Sequence, residues 1–470
     1  MRICASIYHW SMGLLPETRN VIQMGASFFF IFLAFNSQGF IEQTVIESAN
    51  SIGNGSNIDE HAGYTSQALI YLIFTFANFV AAPIVDVLSA KWGMVIGGIC
   101  YIIFLAGFLF LNSPYLYASS CLLGFGAAVI WTGQGTYLSK NCDERTSGRN
   151  SSMLWAMLQA SMLGGGLFLF IIFKATGTTT TISMNTTHIV YGVFTGLAIV
   201  GVVVIAFLPA PPAHLSASSD SSERTNYIHL IISTFKLMPK PRMLMLALAF
   251  SYTGLIQSFW SSVYPSCISF TAKLSDDRQS LVAINAMCSG AGQCIAGGIF
   301  GVFASRTSKL GRDIIVFMGA IIHLAVLAVV YINFPHNANL KPTTDDAIIT
   351  PSIPLALICG FLLGFGDACW NTQIYSHLVA NFSHCSSQAF ALYKFYQSAF
   401  SCAAFFYSSH LELPWHILIM LVTSIIAAIA FFATERLGKR EEKMRAERKK
   451  DDDEGYENGG GSFSETTVSF

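Results

Sequence analysis

Stretches of roughly 20 residues with almost no charge recur along the chain, a length that fits a bilayer core about 30 Å thick. About twelve meet that description: 21–41, 67–89, 93–112, 115–138, 151–174, 189–209, 243–266, 280–304, 312–332, 352–376, 386–408 and 414–434. Of the 470 residues 53% are hydrophobic and only 11% charged, too little charge to clothe a soluble globule of this size. In lipid a spanning segment must satisfy its backbone as a helix or within a closed barrel. Barrel strands would alternate in polarity over segments of about ten residues, a pattern this chain lacks. The expected fold is an all-α polytopic membrane protein with twelve transmembrane helices.

Lysine and arginine divide unevenly between alternate loops: about 21 on the side of the N-terminus against four on the other, Lys174, Lys273, Arg278 and Lys341. That bias predicts both termini in the cytosol, with the membrane itself, plasma or internal, left open. The opening "MRICASIYHWSMGLLPETRN" lacks the charged region, apolar run and cleavage site of a signal peptide. Between spans six and seven, "LPAPPAHLSASSDSSERTN" has the composition of a flexible linker. The expected organisation is a cytosolic N-terminus (1–20), a six-helix bundle (21–209), a cytosolic linker (210–242), a second six-helix bundle (243–434) and a disordered cytosolic tail (435–470) that begins as a charge-laced possible helix and ends rich in Gly and Ser. The eleven cysteines are scattered without metal-type spacing, which argues against a disulfide framework.

The two halves echo each other. "LLGFGAAVIWTGQGTYLS" from Leu122 matches "LLGFGDACWNTQIYSHL" from Leu362, with Trp131 or its neighbour opposite Trp370 and, after a one-residue slip, Gln134 opposite Gln373. "LWAMLQAS" from Leu154 matches "LYKFYQSA" from Leu392 at nearly the same offset. Two matches in the same order indicate that the bundles are repeats.

Twelve spans in two halves, with loop motifs after spans two and eight, resemble the major facilitator superfamily. Its loop pattern has a Gly, an acidic residue four positions later, then Gly and basic residues. In "APIVDVLSAKWG" Asp86 and Lys91 take the acidic and basic places while Ala82 replaces the Gly; in "GVFASRTSKLGR" Gly301 fits, Ser305 replaces the acid, and Gly311 and Arg312 close the pattern. The resemblance implies that these loops latch alternate states. "AFNSQGFIEQTVI", "GYTSQALIY", "AAVIWTGQG", "DERTSGRNS", "LWAMLQAS", "LLGFGD" with "NTQ", and "KFYQS" resemble the uncoordinated-ninety-three-like branch of that superfamily. The branch implies a major facilitator fold of two pseudo-repeat bundles. It also implies the regulation or escort of a channel or receptor; secondary transport of a small solute is the role to which the polar and charged residues of the spans point.

Asp367 and Lys394 are the costliest residues in the chain, because a lone charge near mid-membrane costs several kcal/mol. Asp367 lies about 15 Å and Lys394 about 12 Å from the inner ends of spans ten and eleven at 1.5 Å per residue, so a charge pair between them is expected. It would either open on protonation or substrate binding, and so couple transport, or pin two helices permanently. Their first-half counterparts are Ala127 and Ala156.

A broader neutral set, Asn36, Gln38, Thr132, Gln134, Gln159, Gln257, Asn285, Gln293, Asn371, Gln373 and Gln397, is expected to face inward. Together these residues would line a cavity for a small polar or amphipathic solute, although each taken alone suits an ordinary interhelical hydrogen bond. Glu42 and Glu47 read as a solvated membrane edge and Tyr64 and Tyr71 as interfacial anchors.

Sequons at Asn54 and Asn185 fall outside and are expected to carry sugar, whereas those at Asn150 and Asn381 fall inside. The terminal Val468, Ser469 and Phe470 match a PDZ-type ligand, and the basic stretch before them suits anionic lipid. No nucleophile with its base, metal-ligand cluster or phosphate-binding loop is evident. Neither enzymatic activity, nor a cofactor, nor a nucleic-acid partner is expected; the lipid bilayer, a small solute and a channel or receptor are.

Overall fold

The computed structural model describes residues 15–51, 58–59, 62–142, 146–177, 182–212, 227–303, 311–382 and 385–459. Among them, helix is the regular structure throughout, apart from an isolated bridge between Thr271 and Thr343. The first half comprises α1 (Pro16–Ser51), α2 (Ala62–Gly107), α3 (Ser113–Ser139), α4 (Ser147–Thr176) and α5 (Met184–Ala206). Local chemistry sets several ends: the Asn112 side chain caps α3 by accepting from the Tyr115 amide, and Gly177, at φ 66°, closes α4 in the left-handed conformation. A short helix α6 (Tyr227–Leu237) lies within the expected 210–242 linker.

The second half begins with α7 (Pro241–Ser258), which runs through a π-helical turn (Phe259–Val263) into α8 (Tyr264–Phe270). There follow α9 (Arg278–Val302), α10 (Arg312–Asn333), α11 (Ile353–Asn381), α12 (Ser386–Ser408) and α13 (Leu413–Gly459). The last of these runs on into the tail, whose charge-laced start is expected as a possible helix, and extends through Gly459; Glu435, at its entry, is buried and bonded to its neighbours.

Ten described helices are long and apolar enough to cross a membrane, against the twelve spans expected. The difference has two sources. Helix α2, with 46 residues, would be about 69 Å long if straight, more than twice a bilayer core. It is broken at Ser89 (φ 67°, ψ 155°), and its arms fold back so that Gly93 lies against Val85. Helix α12 has 23 residues but is too polar to count, since Lys394, Gln388, Gln397 and several serines interrupt its apolar face.

The echoed segments occupy matching places. A Cβ on Gly124 of α3 would meet the Ile70 carbonyl oxygen at 2.4 Å, and one on Gly364 of α11 would meet the Ser289 carbonyl oxygen at 2.1 Å. Two residues on, Gly126 abuts Cys100 and Gly366 abuts His323. Only glycine permits these approaches, which let each helix seat against two neighbours in its own half. The same register puts Ile130 opposite Trp370, both fully buried, and Trp131 opposite Asn371, both on the central cavity. The one-residue slip that pairs Gln134 with Gln373 is therefore not needed to superpose the two helices through this stretch. The halves meet mainly where α4 packs on α9 and α2 on α12.

Candidate functional site

A cavity lies between the halves, walled by α1, α2, α3 and α4 on one side and by α7, its π-helical turn, α11 and α12 on the other. The first half contributes mostly rings, among them Phe32, Phe35, Tyr101, Trp131 and Trp155. Both charges of the wall, Asp367 and Lys394, come from the second. Of the neutral set, Asn36, Gln159, Gln257, Asn371 and Gln397 line the cavity as expected.

Gln38, Thr132, Gln134 and Gln373 are buried elsewhere. Gln38 donates to Glu42, Gln134 accepts from Tyr375 Oη at 3.2 Å, and Gln373 donates to Thr372 Oγ1 at 3.1 Å. The three glutamines follow the alternative of interhelical or local bonding, whereas Thr132 Oγ1 is buried without a hydrogen-bond partner. Asn285 and Gln293 are likewise off the cavity, and Gln293 accepts from Gln159.

Asp367 and Lys394 reach the same cavity but make no ion pair with each other. Lys394 Nζ donates to Gln397 Oε1 at 2.7 Å and lies 4.3 Å from the centroid of the Trp131 ring and 4.6 Å from that of Tyr393. Gln397 in turn donates to Thr253 Oγ1, and Tyr393 Oη donates to Asn371 Oδ1 at 2.5 Å. Asp367 Oδ1, buried, has no hydrogen-bond partner. The depth argument holds for height but not for direction: α12 packs on α7 and α2, α11 on α9 and α10, and the two barely touch each other.

Below the cavity, on the side of the termini, the halves are joined by Gln134 to Tyr375, by Thr136 and Ser387 sharing a hydrogen bond at 3.2 Å, and by the Trp155 and Tyr375 rings at 5.8 Å. On the opposite side Gln257 donates to Tyr71 Oη at 3.0 Å, Tyr64 and Ser266 share a bond at 2.9 Å, and Lys174 pairs with Asp277 at 2.5 Å. Partial burial raises the Asp277 carboxyl, but hydrogen bonds from Lys174 and Ser280 and the Lys174 charge outweigh it and leave it below the usual carboxylate range. A smaller hollow lined by Gly39, Phe40, Ser261 and Ser262 continues from the cavity toward this side.

Tyr71 is thus a cavity residue and no membrane-interface anchor, because α2 begins nine residues before it. Glu42, read as a solvated edge, is buried nine residues inside the end of α1, with Gln38 and Gln67 donating to it. Both corrections have one cause: the helices outrun the apolar runs that mark them in sequence.

Of the loop residues, Asp86 is exposed, Lys91 lies over the Trp92 ring at 5.3 Å, and Gly311, at φ 103°, turns the chain into α10. Arg312 binds Glu435 at 3.2 Å, and the same carboxylate oxygen accepts from His377 Nδ1 at 2.5 Å. The cluster ties α10, α11 and α13 together within one half. Glu435 was missed because it follows the last apolar run and reads as tail; His377 and His323, whose Nδ1 meets Tyr252 Oη at 2.7 Å, were signalled only by being ionisable inside a span. Asn185 is exposed at the start of α5, whereas Asn381 accepts from Arg242 Nη2 at 3.1 Å. Asn54, Ser305 and Val468, Ser469 and Phe470 lie outside the described residues, as does the Glu47 side chain.

A family model described as ion channel regulatory protein UNC-93 matches residues 54–432. UNC93-like protein MFSD11 of Xenopus laevis is 35% identical over 444 residues, 89% of this chain and 97% of that protein. Protein unc-93 homolog A of Bos taurus is 24% identical over 455 residues, 89% and 93% of the respective chains. Among solved structures, the major facilitator transporter FucP in the outward conformation superposes with a TM-score of 0.61 at 11% identity, covering 89% of this chain and 99% of its own. The human organic anion transporter MFSD10 does so with a TM-score of 0.57 at 12% identity, covering 90% and 100%. At such identities the likeness shows the fold, that of the major facilitator superfamily.

Proposed function

The chain belongs to the UNC-93 family, an integral multi-pass membrane protein of major facilitator fold, and on that premise we propose that it is a secondary transporter moving a small organic solute by alternating access. One observation carries the reading: the cavity at the interface of the two halves is walled by both and holds two opposite charges. A purely structural interface has no use for an unbonded buried carboxylate, whose isolation in the membrane is costly. Asp367 and Lys394 are the coupling residues, and Asn36, Gln159, Gln257, Asn371 and Gln397 bind the solute. Among the described residues, the contacts named on the terminal side are neutral, with hydrogen bonds worth about 0.5–1.5 kcal/mol each, so rocking one half against the other can break them.

In this account the chain crosses the membrane twelve times with both termini in the cytosol. Sugar is expected on Asn185 and Asn54, and sugar on Asn381 would overturn the orientation. The functional test is a solute-uptake screen in proteoliposomes with wild type and Asp367→Asn. Uptake lost in a folded mutant supports transport.

A second reading is a non-transporting regulatory or escort subunit of a channel or receptor. It is favoured by the matching family's description as an ion channel regulatory protein and by Arg312, which fastens helices inside one half instead of bridging the two. Absence of uptake of any solute, together with a stoichiometric co-purifying channel, would establish that reading instead.

A further inference from the structure

Resting on the transport reading, the cavity has a chemical character that narrows its ligand. Its two charges have opposite signs, stand on α11 and α12 and leave each other unpaired. Lys394 spends one of its three N–H donors on Gln397 and faces rings with the remainder. On the other side of the wall Asp367 Oδ1 has no donor. The two side chains beside that carboxylate do not supply one. Asn371 gives its amide to the Asp367 backbone carbonyl at 3.0 Å, and the Trp260 indole N–H, also on the cavity, is directed toward the carboxylate without reaching hydrogen-bond geometry.

The wall therefore offers an acceptor that needs a donor and two donors, Lys394 Nζ and Trp260 Nε1, that need an acceptor. An organic anion would answer Lys394 and Trp260 but bring its charge against Asp367. An organic cation would answer Asp367 and be repelled by Lys394. A solute with an ammonium and a carboxylate a few bonds apart answers all three groups in one pose, and each charge-assisted bond is about twice as strong as a neutral one. Opposite these groups the wall is aromatic, with Phe32, Phe35 and Trp155 from the first half and Ala127 at the place that mirrors Asp367. Such a surface takes an apolar or aromatic side chain and carries no formal charge to pair with a charged one.

We infer that the cavity binds a zwitterionic, amino-acid-like solute with an apolar or aromatic side chain, its charged end on the second half and its side chain on the first. The test uses the full chain in lipid nanodiscs, with the shift in thermal-unfolding midpoint measured against ligand concentration. The probes are phenylalanine, leucine, phenethylamine, which lacks the carboxylate, and 3-phenylpropionate, which lacks the ammonium. Phenylalanine should bind at least about tenfold more tightly than either truncated analogue, the factor that one charge-assisted contact supplies.

Asp367→Asn should erase the preference over phenylpropionate, and Lys394→Gln the preference over phenethylamine. Should either variant fail to fold, Trp260→Phe keeps the ring and removes the N–H; it should weaken phenylalanine and phenylpropionate several-fold and leave phenethylamine unchanged. Equal binding of the wild type to the amine or the acid overturns the inference, as does the absence of any shift with both amino acids. Uptake of a solute of another class sinks the inference alone, whereas a zwitterion that binds tightly but is never carried across sinks the transport reading alone.

Discussion

Helices α3 and α11 are built on one plan and used for different ends. Each seats two glycines against two neighbours of its own half, Gly124 and Gly126 on Ile70 and Cys100, Gly364 and Gly366 on Ser289 and His323. One residue beyond the second glycine, the plan turns a side chain to the cavity, and there α3 carries Ala127 while α11 carries Asp367. The contrast extends to the ends of the bundles. Beside the N-terminus, Asn20 donates to Asn141 at 2.9 Å and Arg149 to Thr18 at 3.0 Å, whereas the second half uses the Arg312, Glu435 and His377 cluster. Repeats share the close-packing that any such fold requires, and among the described residues ionic chemistry is concentrated in one copy. Glu42 is the exception, a buried carboxylate of the first half held by two glutamines.

The comparison can be broken most severely at the ionic cluster. Glu435→Ala leaves His377 and Arg312 without their shared acceptor and should cost about 3–5 kcal/mol, since removing one partner of a buried pair strands the other. Asn141→Ala, at the corresponding neutral contact, should cost only about 1–2 kcal/mol. Thermal unfolding of the two variants in matched lipid checks the ratio, and equal losses would mean that the charge asymmetry has no energetic content.

The shared frame should respond alike in both halves. Gly124→Val and Gly364→Val each drive a side chain into a backbone carbonyl and should each destabilise by about 1–3 kcal/mol, the usual cost of overpacking. A large difference between them would show that one half only resembles the other.

The smallest effect is expected at the Lys174–Asp277 pair, which links α4 to the cap of α9 across the halves. Lys174→Ala should cost about 0.2–1 kcal/mol and less at high salt, because the pair is exposed. The folded Asp277 carboxyl sits below its unfolded value of about 3.9, so this contribution is complete above that pH. It is lost as pH falls through the lower folded value, and acid titration of unfolding in wild type and Lys174→Ala should converge there.

Much of this frame can be read in the sequence. The length of the apolar runs announces membrane helices, and the repeated "LLGFG" marks the two segments that pack most closely. Seven of the thirteen residues expected in the coupling pair and cavity do line it: Asp367, Lys394, Asn36, Gln159, Gln257, Asn371 and Gln397. What could not be read is direction around the helix axis. Depth along a helix follows from counting residues, but whether Lys394 turns toward Asp367 or toward Trp131 depends on which helices are neighbours. Nor do apolar runs report helix ends, and for that reason Glu42, Tyr71 and Glu435 were assigned to edges and a tail. Ser89 lies between Asp86 and Lys91, where the sequence already separates two spans; what composition does not announce is its backbone conformation, one that serine rarely takes.

The central claim, that one half supplies the charge chemistry of a transport cavity framed by both, is tested most directly by uptake into proteoliposomes of a solute carried by the wild type. Asp367→Asn and Ala127→Asn are compared at equal folded protein, each presenting an amide at one of the two mirrored positions. The account predicts that Asp367→Asn loses at least about tenfold in uptake, roughly 1.4 kcal/mol or more of coupling, while Ala127→Asn stays within about threefold of wild type. Equal losses in the two variants, or full activity in Asp367→Asn, would contradict it.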